Sequence, residues 1–82
     1  MNEKFVLGMA GNVFPVAYEI IKNKGYQILK EGENYIAESN GQKFIAKDDI
    51  VQLLGLITIY ETKGENWATT DQVIDEFLKN LD

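Results

Sequence analysis

Asn40-Gly41 constrains this chain more than any other pair of its residues. A type I′ turn holds both central residues at positive φ, which Asn and Gly tolerate best, so the pair marks a two-residue β-hairpin. The flanking runs agree with it. Residues 35–39 and 42–47 alternate apolar and polar side chains, the pattern of half-buried strands. A third such run, residues 26–30, comes before them across the turn Glu31-Gly32-Glu33-Asn34. Tyr26, Ile28, Tyr35, Ala37, Phe44 and Ala46 then share one face, the expected core side. Leu29, Ile36 and Ile45 fall on the other face, which is therefore expected to be partly covered as well.

Helical spacing fills the rest of the chain. The first helix is expected from a cap at Asn12 through Tyr18, Ile20 and Ile21 to Lys24, with Pro15 in its first turn and Gly25 as its stop. The second starts at Asp48 or Asp49 and ends at Gly64. Ile50, Leu53, Leu54, Ile57 and Tyr60 share its broad apolar face, while Leu56 and Ile59 fall outside that face, near Gln52 and Lys63. A helix apolar on most sides is either central to its fold or half of an interface. After Glu65-Asn66-Trp67-Ala68, Thr69 or Thr70 caps the third helix, with Gln72 placed for a capping box from Thr69. Val73, Ile74, Phe77, Leu78 and Leu81 form its apolar stripe. Asp71, Asp75 and Asp82 line one flank of the stripe, and Glu76 lies on the other side of the polar face. Phe5-Val6-Leu7 is a candidate for an additional first strand. The expected fold is α+β: a small antiparallel sheet of three strands, four if residues 5–7 join it, with three helices packed on it.

Composition narrows the chemistry. With 82 residues the chain is expected to be one domain, residues 1–82, burying about 60–65% of its unfolded surface. There is no cysteine, so disulfides and thiolate metal sites are impossible, which favours a cytoplasmic protein. There is no histidine, and every basic residue is a lysine. The commonest general base, the commonest metal ligand and the bidentate grip of arginine on phosphate are thereby missing. A net charge of −5 disfavours nucleic acid. It serves either plain solubility or attraction to a basic partner. The apolar run 5–17 is broken by Gly8, Gly11, Asn12 and Pro15 and does not read as a signal peptide. The run 50–60 is well short of the ~20 residues of a membrane span.

The candidate sites are few. Gly8-x-x-Gly11 ahead of a helix is a place for an anion on backbone amides, but it is neither a dinucleotide fingerprint nor a Walker loop. Asp48/Asp49 read as helix N-terminal acids, Asp75/Glu76 as a solvated face, and Glu31/Glu33 as turn residues. Ser39, the only serine, sits beside the hairpin turn with no histidine to activate it. No catalytic residue, metal ligand or cofactor is assigned. Trp67 has two readings, a lid on the core and an interface anchor, the second because tryptophan is enriched at binding hot spots. The partner-binding candidates are Trp67, Asp71, Asp75, Glu76 and Asp82, with Glu61 and Glu65 nearby.

The stretch from Leu54 to Leu78 reads Leu-Gly-Leu-Ile-Thr-Ile-Tyr-Glu-Thr-Lys-Gly-Glu-Asn-Trp, followed by a capped Thr-Asp helix. With Gly11-Asn12-Val13 and Lys24-Gly25-Tyr26, it resembles small stand-alone bacterial proteins of the immunity type, which are encoded beside polymorphic or contact-dependent toxins. The resemblance is one of size, acidity and texture over much of the chain. It implies tight binding to one cognate toxin domain, without catalysis. The expected function is thus a non-catalytic protein-interaction module, most concretely an acidic inhibitor or immunity-type protein that binds a basic partner. The alternatives are a small homo-oligomeric subunit, such as a homodimer pairing through its central helix, and a small-ligand or anion binder at the Gly8–Gly11 turn.

Overall fold

Asn40 and Gly41 both hold positive φ, at 49° and 81°, and close the expected hairpin. The computed structural model that carries this turn describes residues 7–9, 11–65 and 67–81. Its strands are β1 (Gln27–Glu31), β2 (Asn34–Ser39) and β3 (Gln42–Ala46), ordered β1-β2-β3 and antiparallel throughout. The first turn is tighter than expected, because Glu31 and Asn34 pair across it. Gly32 carries the positive φ, 59°, that a type II′ turn requires at its first central position. Register aligns Ile28, Ala37 and Phe44 across the sheet on one face, and Leu29, Ile36 and Ile45 on the other.

The helices are α1 (Val13–Asn23), α2 (Ile50–Lys63) and α3 (Asp71–Asn80). Together with the sheet they make the expected α+β arrangement of three strands and three helices. Of the candidate first strand, Phe5 and Val6 lie outside the described residues, and Leu7 belongs to no strand. Asn12 precedes α1 but its side chain makes no cap hydrogen bond, because its own backbone is already helical. Asp49 does cap α2, accepting from the Gln52 backbone N–H at 2.9 Å, while Asp48 accepts from the Gln52 side chain at 3.1 Å. Thr70 caps α3 by accepting from the Val73 N–H at 3.3 Å. Thr70 rather than Thr69 occupies the cap position, so the expected capping box with Gln72 is out of register.

The core is one layer between the sheet and two helices. Ala17 and Ile21 from α1, Ala37 and Ala46 from the sheet, and Ile50, Leu53 and Ile57 from α2 are buried together. Small side chains at positions 17, 37 and 46 leave room for Ile21, Leu53 and Ile57, which are the largest fully buried groups. Phe44 links sheet to helix: Tyr26 meets it edge-on at 5.7 Å and Tyr60 at 5.6 Å. This is the favourable geometry for aromatic pairs. On the opposite face Ile36 is only 3% exposed, but its cross-strand neighbour Ile45 is 51% exposed, so the covering there is local.

The third helix behaves differently. α1 packs on α2, and both pack on the sheet, whereas α3 makes no extensive contact with any other element. None of its residues is buried. The radius of gyration is 15.3 Å, against about 12 Å for a compact chain of this length.

Candidate docking surface

Among the described residues, exposed apolar side chains gather into a groove beside β3 and a stripe on α3, besides those scattered along α1. The first, of about 440 Å³, lies along the free edge of β3. Lys43, Phe44 and Ile45 are consecutive, so they present the strand edge rather than one face of the sheet. The opposite wall is α2, through Leu56, Ile59 and Tyr60, and Trp67 from the following segment closes one side. The α2 wall follows from helical spacing. Ile50, Leu53 and Ile57 turn inward, which leaves Leu56 and Ile59 on an outer row that also holds Gln52 and Lys63. The Gln42 side-chain amide donates to the Tyr60 hydroxyl and ties the start of β3 to the end of α2.

The second surface is the α3 stripe. Val73, Ile74, Phe77, Leu78 and Leu81 are all exposed, Phe77 at 55%. Their spacing puts them on one side of the helix, and Asp71 and Asp75 follow directly beside Leu78 on the same cylinder. Trp67, in the segment joining α2 to α3, is 67% exposed and is not folded down as a lid on the core. It stands between the two surfaces in sequence and forms part of the groove in space.

The acidic candidates divide into groups. Asp71, Asp75 and Glu76 are exposed together on α3, and Glu65 is exposed in the turn after α2. Glu61 is engaged elsewhere: it accepts from Lys24 at 2.8 Å, on the α1 side of α2 and away from Leu56 and Ile59. Asp82 lies outside the described residues. Sequence spacing separates Leu56 and Ile59 from the core face of α2. It carries no sign that Lys43, Phe44 and Ile45 face them, because that depends on how the sheet edge meets the helix.

Titration and backbone geometry add two details. Burial against the aromatic cluster raises the Tyr26 phenol above its ordinary value of 10.0. Glu61 and Tyr60 push the same way, and Lys24 opposes them. At the other end of the fold, neither Gly8 nor Gly11 adopts the positive φ used by an anion-binding amide nest, and a Cβ at either would meet open space. Among the described residues no three acidic side chains converge on a possible metal position. No helix among them is long and apolar enough to cross a membrane.

No family model matches the chain, and neither a curated protein nor a solved structure matches it.

Proposed function

We propose that this chain is a protein-interaction module whose contact surface combines the α3 stripe with the Trp67 groove. The single observation that carries this reading is α3 itself. It has ten residues, a threonine cap and five apolar side chains on one side, yet it buries none of them. Isolated helices below ~12–15 residues are marginal in water, and those in proteins owe most of their stability to packing of an apolar face. A helix so fully specified and so little packed is best explained by a partner that completes it.

The size of the surface supports the same reading. Five large side chains at about half exposure present about 450 Å² of apolar area, about the largest patch a typical soluble monomer leaves open. Trp67, Leu56 and Ile59 extend it. Tryptophan in such a setting is the usual energetic anchor of an interface.

The acidic residues give this surface a sign. Asp71 and Asp75 lie along the stripe, and Glu76 lies on the far side of the polar face. With a net charge of −5, they accelerate encounter with a basic protein more than they strengthen the final contact. In its most concrete form the module is an acidic inhibitor of the immunity type, covering a basic toxin domain. That form draws on the charge and on the resemblance in size and texture.

Affinity capture from the native cell tests the reading, with tagged wild type beside tagged Phe77→Asp. The expected result is one protein retained in near-equal amount by the wild type and lost from the variant, a second untagged copy of the chain included. Identical captures by both proteins would remove the stripe from the contact surface.

A further inference from the structure

We infer that α3 of one copy docks in the Leu56–Ile59–Trp67 groove of a second copy, and reciprocally, so that two chains complete each other as a two-fold dimer. The inference rests on the reading of stripe and groove as docking surfaces, and it names a second copy as their occupant, so that a basic partner reaches them only by displacing that copy. Each chain carries both halves of a contact and leaves both open. A helix with an uncovered apolar side and a groove lined by apolar side chains belong together. One rotation that seats the first helix in the second groove also seats the second helix in the first.

Two features of the halves agree. Their charges are complementary. Lys43 lies at the lip of the groove, where it also meets Glu38 of its own chain at 3.8 Å, while Asp71 and Asp75 run along the edge of the stripe beside Leu78. The area is also sufficient. Stripe and groove together offer about 850 Å² of exposed apolar and aromatic surface per chain, or about 1,700 Å² for the reciprocal pair, the usual size of a stable interface.

The connection between the halves permits the exchange. Residues 67–70 carry no regular structure, and Thr70 is extended at the start of α3. α3 makes no extensive contact with α2 or β3, so it does not fill its own chain's groove, and exchanging an element between copies is a low-cost route to a dimer.

Sedimentation equilibrium on the full chain tests the inference. Wild type is expected at twice the chain mass of 9.3 kDa. Phe77→Asp breaks the stripe and Ile59→Asp breaks the groove, so each variant alone is expected at the single-chain mass. Both positions are exposed, at 55% and 47%, and a cooperative urea transition checks that each variant folds. An equimolar mixture of the two retains one intact stripe and one intact groove, and it is expected to recover a species of twice the chain mass. Wild type at the single-chain mass overturns the inference, as does a dimer that survives both substitutions or a mixture that stays single. Binding of the dye anilinonaphthalene sulfonate then separates the two readings. A monomer that binds dye and loses it on Phe77→Asp keeps the docking surface but needs a different partner. A monomer that binds none takes the docking surface down too.

Discussion

Lys24 and Glu61, 37 residues apart in sequence, meet at 2.8 Å where the end of α1 reaches the last turn of α2. The pair fixes the two helix ends against each other and withdraws Glu61 from the acidic residues available to a partner. Both side chains remain about a third or more exposed, so solvent screens the attraction. Glu61→Gln is expected to lower the unfolding free energy by only about 0.2–1 kcal/mol and to leave association unchanged. Urea denaturation and a molar-mass measurement check the two halves of that statement. A large drop in affinity would return Glu61 to the contact surface.

Leu53 is the opposite case. It is fully buried between α1, the sheet and the rest of α2, in a core of only a few large side chains. Leu53→Ala is expected to cost about 2–5 kcal/mol, through lost burial and the cavity left behind. That is a large part of the ~5–15 kcal/mol typical of a whole domain. A sharply lower urea midpoint is the expected observation. A change below about 1 kcal/mol would mean that the core is not organised around this position.

The contrast between these residues shows what the sequence makes legible. Leu53 follows from period alone, since it shares a face with Ile50 and Ile57. The hairpin at Asn40-Gly41 follows from turn chemistry, and the caps follow to within one residue, Asp49 out of Asp48 and Asp49, Thr70 out of Thr69 and Thr70. All of these are local relations within a turn or two of chain. The Lys24–Glu61 pair is not legible, because many lysines and acids are available and only tertiary geometry selects two. That α3 leaves its stripe exposed is not legible either. Its stripe has the right period for packing, and period says that a face seeks cover without saying which chain supplies it. Trp67 is ambiguous in the sequence for the same reason. The groove beside it joins β3 to α2 across a sheet edge that no spacing rule reaches.

Trp67 lies mostly in solvent, so removing it leaves the core intact. Trp67→Ala is expected to change the unfolding free energy of the separated chain by less than about 0.5 kcal/mol. The same substitution is expected to weaken docking by about tenfold or more, because aromatic anchors carry a large share of interface energy. Parallel denaturation and binding titrations separate the effects. A collapse of stability without a change in binding would make Trp67 a core lid.

Tyr26 ties stability to alkaline pH. Burial, then Glu61 and Tyr60, hold its phenol protonated above the ordinary value of 10.0. The folded chain therefore retains a proton that the unfolded chain releases first. The associated stability is fully present below about pH 10 and falls as pH rises through the folded value. Urea midpoints between pH 9 and pH 11.5, both about the range where phenols titrate, are expected to fall more steeply for wild type than for Tyr26→Phe. Equal slopes would show that Tyr26 does not couple to folding.

Amide hydrogen exchange across residues 71–80, measured as a function of protein concentration, tests the central claim most directly. A free helix of this length exchanges quickly, so protection reports that the stripe is covered. The account predicts protection in α3 that rises with concentration and disappears in Phe77→Asp, while β2 and α2 stay protected throughout. Strong α3 protection independent of concentration would contradict it, because the stripe would then be covered from within its own chain.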